Sequence, residues 1–420
     1  MREMKDSGIE WIGEIPKEWK IDKIKYHLKR NEPKNHGNAI VLSVYRDYGV
    51  IPKDSRDDNH NVTSEDTSKY KYVKKGQLVI NKMKAWQGSL AVSDYNGIVS
   101  PAYFIYDFTD EEYNHKYFHY LVRSCYKEEF KRISGGIREG QWDLSPEAFA
   151  NTLALLPPLV EQKYIANYLD IQCSEIDATA EDIQKEIALL EDYKKSVIIE
   201  AVTKGLNPDA EMKDSGIAWI GEIPKDWKVD KIKYHLKRNE PKNPGNAIVL
   251  SVYRDYGVIP KDSRDDNHNV TSEDTSKYKY VKKGQLVINK MKAWQGSLAV
   301  SDYDGIVSPA YFIYDFIDEE YNHKYFHYLV RSCYKEEFKR ISGGIREGQW
   351  DLSPEGFSNT LVLLPSIEEQ NEILDYILQK EIEIDAIIAD KKRQRGILTE
   401  YKKSLIHEYV TGKKEVPVHE

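Results

Sequence analysis

The sequence predicts an α+β protein in which two repeated globular α/β domains are separated by two long helices that form an antiparallel coiled coil. Three observations support this prediction. The chain repeats itself after 208 residues, a 46-residue stretch between the copies lacks Pro and Gly, and each copy changes from a β-type to a helical pattern along its length. A repeat of this length indicates a duplicated domain, because the repeats of solenoid proteins are far shorter.

The two copies are nearly identical. Residues 4–157 align with residues 212–365 without a gap, and only nine positions differ. The differing pairs are Glu10/Ala218, Glu18/Asp226, Ile21/Val229, His36/Pro244, Asn96/Asp304, Thr109/Ile317, Ala148/Gly356, Ala150/Ser358 and Ala154/Val362. We therefore expect a first domain over 1–157, a central spacer helix and linker over 158–211, a second domain over 212–365, and a C-terminal spacer helix and tail over 366–420.

The stretch 159–204 has the pattern of a helix that packs lengthwise against another helix. Its apolar or small residues recur at intervals of four and three, as in a coiled-coil seam. They are Leu169, Cys173, Ile176, Ala180, Ile183, Ile187, Leu190, Val197 and Ala201. Such a helix would be about 70 Å long. The segment 367–413 is its counterpart and keeps Tyr401-Lys-Lys-Ser404 against Tyr193-Lys-Lys-Ser196. The alternative is an ordinary amphipathic helix lying on a globular domain.

The charge is distributed unevenly. The net charge is −8, but each domain has +1, the spacer with its linker −7 and the C-terminal segment −3. The acidity therefore belongs to the helices and does not exclude a polyanionic ligand for the domains. Three cysteines do not form a disulfide framework, so we expect a reducing compartment. Because the chain has no apolar run near 18 residues and no signal peptide, we expect it in the cytoplasm.

Each domain begins with a loop-rich entry and a segment, 20–30, that reads as a short strand or helix. The region 39–108 then has a β-type pattern of short runs rich in Val, Ile and Tyr, divided by Gly, Asp and Asn. The runs are AIVLSVY, KYKYVKK, QLVINKM, SLAVS, GIVS and AYFIYDF. Asn96-Gly97 predicts a hairpin turn, and Asp304-Gly305 keeps the same turn chemistry.

The pattern becomes helical after residue 110. The side chains that can share one face of a predicted helix between 110 and 133 are Tyr113, Tyr117, Tyr120, Leu121, Cys125 and Phe130. A polar loop over 135–142 follows, and Ser145 with Pro146 then marks a helix start. A last short strand is predicted at 153–157 before the long helix.

The stretch 67–93 is the first candidate for nucleic-acid contact. It contains six lysines and no acid, interleaved with Tyr70, Tyr72 and Trp86. The lysines are Lys69, Lys71, Lys74, Lys75, Lys82 and Lys84. A local basic patch in a nearly neutral domain favours phosphate contacts. The alternative is a solvated edge strand, where lysine guards against unwanted pairing.

Two further stretches are candidates for reading bases. In the loop 135–142, Arg138 suits guanine and Gln141 suits adenine. Arg46-Asp-Tyr48 is a further candidate. The predicted DNA-binding residues are Arg46, Tyr48, Lys82, Lys84, Trp86, Gln87, Arg138, Gln141 and Trp142, with Arg254, Tyr256, Lys290, Lys292, Trp294, Gln295, Arg346, Gln349 and Trp350 in the second domain.

Catalysis by the chain itself is not predicted. Glu129-Phe-Lys131 spells half of a metal-dependent nuclease site, with Asp107 or Asp110 as the missing acid, but such triplets arise by chance in a chain with 31% charged residues. His115 and His119 could share a metal, yet no third ligand is placed. No dinucleotide fingerprint, phosphate-binding loop or amino-methyltransferase motif occurs. We expect no catalytic residue, metal or cofactor in this chain; a self-sufficient nuclease and a protein scaffold that does not bind DNA are the alternatives.

Several motifs resemble those of the specificity subunits of type I restriction–modification systems. They are DSGIEWIGEIP at 6–16, VINKMKAWQG at 79–88, GIVSPAY at 97–103, IREGQW at 137–142 and LPPLVEQ at 156–162, and all recur in the second half, the last as LPSIEEQ at 364–370. The resemblance extends over essentially the whole chain.

The resemblance implies that each domain is a target recognition domain reading one half of a bipartite site in double-stranded DNA. It implies that the two helices pair antiparallel and set the spacing, and that two methyltransferase subunits dock on them. Two restriction/translocase subunits would join for cleavage. S-adenosylmethionine would then belong to the methyltransferase subunits, and ATP and Mg²⁺ to the restriction subunits.

The near-identity of the two domains departs from the family pattern, in which the domains usually differ. None of the nine differences falls within 67–93 or 135–142. Antiparallel helices would turn a direct repeat into a pseudo-twofold arrangement, with equivalent faces reading DNA in opposite senses. We therefore expect a palindromic, interrupted target.

Overall fold

The computed structural model describes residues 2–34, 37, 39–46, 48–55, 66–136, 142–245, 247–254, 256–263, 274–344 and 350–417. The chain forms two compact units. The first consists of Met1–Gln184 with Arg393–Glu420, and the second of Lys185–Lys392. Each unit thus combines one copy of the repeat with segments of both long helices.

The first copy contains fourteen strands and three short helices within its described residues. The strands are β1 Met4–Asp6, β2 Glu14–Pro16, β3 Lys20–Lys23, β4 Leu28–Arg30, β5 Leu42–Tyr45, β6 Gly49–Pro52, β7 Lys71–Val73, β8 Leu78–Asn81, β9 Leu90–Val92, β10 Gly97–Val99, β11 Tyr103–Phe108, β12 Ser134–Gly135, β13 Asp143–Leu144 and β14 Leu153–Leu156. The helices are α1 His115–Cys125, α2 Lys127–Arg132 and α3 Pro146–Asn151, and the long helix α4 is Leu159–Lys204.

The second copy repeats these elements in the same order. Its strands are β15 Met212–Asp214, β16 Glu222–Pro224, β17 Lys228–Lys231, β18 Leu236–Arg238, β19 Leu250–Tyr253, β20 Gly257–Pro260, β21 Lys279–Val281, β22 Leu286–Asn289, β23 Leu298–Val300, β24 Gly305–Val307, β25 Tyr311–Phe316, β26 Ser342–Gly343, β27 Asp351–Leu352 and β28 Leu361–Leu364. Its helices are α5 His323–Cys333, α6 Lys335–Arg340, α7 Pro354–Asn359 and the long helix α8 Ile367–Val410.

A four-stranded antiparallel sheet in the order β4-β11-β8-β9 forms the centre of the first copy. Both of its faces are covered. Leu78 and Ile80 of β8 belong to the main core that includes α1 and α2, whereas Val79 between them belongs to a smaller core with Leu42 and Val44 of β5. Successive side chains of a strand point to opposite faces, so a strand buried on both sides reads as a continuous apolar run.

Each of the six sequence runs predicted to form a strand contains one, namely β5, β7, β8, β9, β10 and β11. The predicted hairpin at Asn96-Gly97 is wrong. Strand β9 pairs with β8, and β10 pairs with β7, so the two strands flanking this dipeptide do not pair with each other. The Asn96 side chain instead accepts a hydrogen bond from the Lys75 amide at 2.8 Å. A Cβ on Gly97 would lie 2.5 Å from the Ile40 carbonyl oxygen, so this glycine permits a close backbone approach.

The segment 20–30, for which the sequence predicted either a short strand or a helix, contains both. Strand β3 leads into a 3-10 turn over Ile24–Tyr26 and then into β4. Strand β3 pairs antiparallel with β14, the last strand before α4, so the beginning and end of the domain are joined by one ladder.

The predicted short helices are confirmed. Asn114 caps α1 by accepting from the Lys116 and Tyr117 amides, and Ser145 caps α3 by accepting from the Ala148 amide at 3.3 Å. Side-chain oxygens at this position satisfy amides that have no partner inside the helix. The apolar face predicted for 110–133 is buried except for Tyr120, which is half-buried, and Tyr126 divides the region into α1 and α2.

The long helix α4 has the predicted bounds, and α8 ends at Val410, three residues before the predicted end. Within each unit the segments of α4 and α8 run antiparallel, because partner numbers fall as residue numbers rise. In the first unit Tyr168 contacts Tyr409 and Asp177 pairs with Lys402. In the second unit Glu186 pairs with Lys391 at 2.5 Å and Lys194 with Asp385 at 2.8 Å.

Most of the predicted seam is buried. Leu169, Cys173 and Ile176 are buried in the first unit, and Ile187, Val197 and Ala201 are buried in the second. The predicted lengthwise helix pairing is therefore confirmed within each unit.

Candidate nucleic-acid interface

A short turn after β8 holds four of the predicted DNA-binding residues of the first domain. Its 3-10 helix, Ala85–Gln87, buries Ala85 and leaves Trp86 and Gln87 half-buried, while Lys84 is exposed. The Trp86 indole N–H donates to the Met83 carbonyl at 3.0 Å, which fixes the ring plane. Gly88 closes the turn in a left-handed conformation with φ +90°.

This turn is joined to the strand that follows the 135–142 loop. The rings of Trp86 and Trp142 lie 5.4 Å apart at 59°. Lys82 Nζ pairs with Asp143 Oδ2 at 3.0 Å, and the Leu144 amide donates to the Lys82 carbonyl at 2.9 Å. Two stretches that lie about 60 residues apart in the sequence therefore form one surface of tryptophan rings and lysines. The entropic cost of bringing them together is modest, because it grows only slowly with the length of the intervening chain.

The third predicted stretch lies beside the same turn. Arg46 and Tyr48 are exposed at the end of the β5–β6 hairpin. A Cβ on Gly88 would lie 3.7 Å from Arg46 Cγ, which places the hairpin against the turn. Arg123 of α1 donates to the Arg46 carbonyl at 2.6 Å and so holds the hairpin end. Sequence reasoning missed Arg123, because nothing in an amphipathic helix signals a distant backbone partner.

The second domain repeats this surface. Trp294 and Trp350 have ring centroids 5.4 Å apart at 59°, and Lys290 pairs with Asp351 at 2.8 Å. Lys292 and Gln295 are exposed. Arg254 and Tyr256 are exposed at the β19–β20 hairpin, the counterpart of the hairpin in the first domain.

The base-reading prediction falls on residues that the structure does not describe. Arg138, Gln141, Arg346 and Gln349 lie outside the described residues. The described flanks of the first loop pair as β12 and β13, with Gly135 opposite Asp143. Asp143 is the partner of Lys82, so the loop starts and ends beside the surface of tryptophan rings and lysines.

The six lysines of 67–93 do not form the single patch that the sequence indicated. Lys71 is directed inward, where Nζ pairs with Glu32 at 2.9 Å and donates to the Tyr103 carbonyl at 2.7 Å. Lys74 and Lys75 precede β8, whereas Lys82 and Lys84 follow it. A strand of this length spans about 13 Å, so only the second pair belongs to the tryptophan surface.

The acids of the alternative nuclease site have separate partners. Both carboxylate oxygens of Glu129 accept from Arg132, at 2.6 and 2.7 Å. Asp107 accepts from Asn31 and Gln77, and Asp110 contacts His27 at 2.9 Å. The triplet at 129–131 is thus explained by a helical ion pair.

The two histidines of α1 are occupied by contacts within the domain, although His115 is exposed and His119 is half-buried. His115 stacks on Phe108 with ring centroids 4.1 Å apart. Burial, together with the nearby positive charge of Arg123, lowers the pKa of His119 to about 3. Among the described residues, one group with metal-ligand chemistry gathers elsewhere: donor atoms of His235, Asp318 and Glu320 lie within 4.8 Å of one another. His235 Nδ1 contacts Asp318 Oδ2 at 2.8 Å within this group.

No helix in the described part of the chain is both long and apolar enough to cross a membrane. The two long helices fail on composition, because charged side chains recur throughout their length.

No protein-family model matches the chain, but curated proteins are similar to it in sequence, two of them from Methanocaldococcus jannaschii. It is 24% identical over 427 aligned residues to the type I restriction enzyme MjaVIII specificity subunit of Methanocaldococcus jannaschii, covering 95% of this chain and 93% of that protein. It is 26% identical over 235 residues to the putative type I restriction enzyme MjaX specificity subunit of the same organism, covering 52% of each.

Solved structures share the fold over nearly the whole chain. The HsdS subunit from Thermoanaerobacter tengcongensis has a TM-score of 0.52 and 13% identity, with 95% of this chain and 98% of that chain covered. A chain from a study of complex assembly and conformational transition in the type I R-M system has a TM-score of 0.63 and 13% identity, with 95% and 99% covered. The predicted fold and the predicted resemblance to type I specificity subunits are confirmed.

Proposed function

We propose that this chain is the sequence-specific DNA-recognition subunit of a type I restriction–modification complex, and that it has no catalytic activity of its own. Each domain reads one half of a bipartite site in double-stranded DNA. The observation that supports this most directly is the duplicated surface: the Trp86–Trp142 pair with Lys82 recurs as Trp294–Trp350 with Lys290, at the same ring separation.

The chemistry of this surface suits a duplex. Lysine and arginine side chains contact phosphates and fix position, whereas base edges are read by hydrogen-bonding side chains in the grooves. Lys84 and Arg46 supply positive charge around the tryptophan pair, and the predicted loop 135–142 contains Arg138 and Gln141. Because both domains have the same residues at these positions, they read the same half-site, and the target is an interrupted palindrome.

The helices have the surface needed for partner subunits. Exposed apolar side chains recur along α4 and α8, among them Val160, Tyr164, Leu189 and Ile382, at 65, 64, 69 and 72% exposure. A contiguous exposed apolar patch marks contact with another protein, and these side chains are the candidates for such a patch on the helices. We assign this contact to two methyltransferase subunits, with two restriction/translocase subunits completing the complex in the cytoplasm. S-adenosylmethionine then belongs to the methyltransferase subunits, and ATP and Mg²⁺ to the restriction subunits.

Single-molecule methylome sequencing tests the function. The chain is expressed with a type I methyltransferase subunit in cells that lack other methylation, and cells with the methyltransferase subunit alone are the control. The expected result is new methylation at an interrupted palindrome on both strands. An asymmetric bipartite motif would retain the recognition role but refute equivalent domains. Absence of new methylation beside a competent methyltransferase subunit would favour the protein scaffold.

The loop is tested by the double variant Arg138→Ala/Arg346→Ala. If these side chains read guanine, the methylated motif should become degenerate at one position in each half-site, with about 1–3 kcal/mol of discrimination lost per position. An unchanged motif would remove Arg138 and Arg346 from the readout.

A further inference from the structure

One buried histidine in each domain lies among carboxylates. In the second unit, His235 Nδ1 lies 2.8 Å from Asp318 Oδ2 and 3.5 Å from Glu320 Oε2. The three donor atoms lie within 4.8 Å of one another. Imidazole nitrogen and carboxylate oxygen are both ligands of zinc in proteins. The group therefore offers one nitrogen and two oxygens to a single ion, with a further position for water.

The spacing of these atoms is close to that of a metal-binding site. Ligand atoms that lie about 2.1 Å from a tetrahedral ion lie about 3.4 Å from one another. The distance between His235 Nδ1 and Glu320 Oε2 already has nearly this value. The shorter contact with Asp318 is a hydrogen bond, and it would lengthen by about 0.6 Å when an ion replaces its proton. Because the Asp318 and Glu320 side chains are 27% and 55% exposed, an ion can reach them from solvent.

The other ring nitrogen has the environment of a metal-binding histidine. The His235 side chain is only 2% exposed, and its buried Nε2 has no hydrogen-bond partner among the described residues. Asp230 Oδ2 lies 3.6 Å from this nitrogen. Histidines that bind a metal commonly donate the second ring N–H to a carboxylate, which fixes the tautomer and the ring orientation. An ion on Nδ1 would leave the ring proton on Nε2, where it faces Asp230.

The first unit has the same group around His27. Its Nδ1 lies 2.9 Å from Asp110 Oδ2 and 3.8 Å from Glu112 Oε2. Its Nε2 is also buried without a hydrogen-bond partner among the described residues, and lies 3.5 Å from Asp22 Oδ2. Each domain thus has one such group, and the distances from Nδ1 are slightly shorter in the second.

Each group connects separate parts of its domain. In the second unit, His235 directly precedes β18 and Asp230 lies in β17, whereas Asp318 and Glu320 lie in the loop between β25 and α5. Gln370 of α8 donates to the Glu320 carbonyl at 2.7 Å. An ion in this group would therefore attach the loop to a buried histidine beside the start of a long helix.

We propose that His235, Asp318 and Glu320 bind a divalent transition-metal ion such as Zn²⁺, and that His27, Asp110 and Glu112 bind a second one. The role of the ion is structural, because it replaces the proton between the histidine and the aspartate and holds the loop in place. The proposal does not depend on the proposed function, since it requires no DNA. The alternative is an imidazole that the carboxylates hold by hydrogen bonds alone.

Metal binding by the full-length chain tests this proposal. The chain, without an affinity tag and stripped of metal by a chelator, is titrated with Zn²⁺ in a calorimeter, and its melting temperature is recorded with and without the ion. The wild type should bind two ions per chain, and its melting temperature should rise. Mg²⁺ in excess should not compete, because it requires near-octahedral oxygen coordination.

Variants of the carboxylates assign the two ions to the two groups. Asp318→Asn/Glu320→Gln keeps the shape of both side chains and should reduce the stoichiometry from two ions to one. Asp110→Asn/Glu112→Gln should do the same for the first unit, and the four substitutions together should abolish binding. Circular dichroism of the metal-free variants shows whether each one is folded before it is titrated.

The matched control is Glu111→Gln/Glu319→Gln, which removes the exposed carboxylate between the two acidic ligands of each loop. This variant should still bind two ions. A wild type that binds no Zn²⁺, or whose melting temperature does not respond to it, would overturn the proposal in favour of hydrogen bonds alone. Two ions retained by the fourfold variant, or an equal loss in the control, would also overturn it, because the ions would then be bound by other residues.

Discussion

Gly305 lies where strand β24 passes closest to the chain at Ile248, and replacement by alanine should destabilise the second unit alone. A Cβ at this position would lie 2.6 Å from the Ile248 carbonyl oxygen and 2.6 Å from Leu250 Cγ. Real Cβ contacts stay beyond 3.0 Å, so backbone atoms must move. The Ile306 amide donates to the same carbonyl at 2.8 Å, and this movement strains that hydrogen bond.

The magnitude follows from three effects. Overpacking of this kind costs about 1–3 kcal/mol. A weakened backbone hydrogen bond costs up to about 1 kcal/mol more. Alanine gains back roughly 0.5–1 kcal/mol, because glycine loses more conformational entropy in a strand. The free energy of unfolding of the second unit should therefore fall by about 1–3 kcal/mol. For a unit of this size that lowers the melting temperature by roughly 3–10 °C.

Differential scanning calorimetry measures this shift. The near-identical units of the wild type should melt close together, so Gly305→Ala should separate a lower transition for the second unit from an unchanged one. Gly97→Ala should do the same for the first unit. Gly343→Ala is the control, since an added Cβ there meets nothing within 4 Å. A Gly305→Ala melting profile equal to that of the wild type would refute the close-approach argument.

Three further predictions follow from the same structure. Replacing Lys84 and Lys292 together by Gln should weaken binding to all DNA sequences alike, and the slope of log K against log salt concentration should become smaller by about 1 per lysine. Filter binding at several salt concentrations measures both effects. A loss of affinity that depends on the DNA sequence would contradict the prediction. Burial lowers the pKa of His327 to about 3, so its contribution to stability is complete above the unfolded value near 6.5 and is lost as pH falls towards 3. His327→Gln should therefore reduce the stability lost between pH 7 and pH 5 by at most about 2 kcal/mol, measured by urea unfolding; an unchanged pH profile would count against it. Burial raises the pKa of the Cys125 thiol to about 11 and also raises the pKa of the other two cysteine thiols. A disulfide reagent at pH 8 should therefore label all three cysteines slowly in the native state. Rapid labelling of one cysteine per chain would show this prediction to be wrong.

Much of the fold is predictable here because its signals are local. The absence of Pro and Gly over 159–204, together with the four-and-three spacing, predicted α4 with its observed bounds. Capping chemistry at Ser145 predicted the start of α3. Strands β1, β2 and β6 were not predicted, because their three or four residues contain too little periodicity.

The candidate site was predicted in pieces. Lys82, Trp86 and Trp142 were each selected from their own stretch, and the structure brings them into contact. Lys71 was placed in the same patch, but Glu32 holds it inside the domain. A count of lysines along the chain does not distinguish a side chain that is paired internally from one that faces solvent.

The sequence by itself determined the duplication, the order of domains and long helices, the principal strands and helices, and the resemblance to type I specificity subunits. These properties follow from composition and short-range periodicity, which the chain displays directly. Only the tertiary structure decided which strands pair, that Gly97 serves a close approach, and that Arg123 meets a hairpin 77 residues away. Those outcomes depend on contacts between distant segments, where many pairings satisfy the local pattern and packing of the whole core selects one.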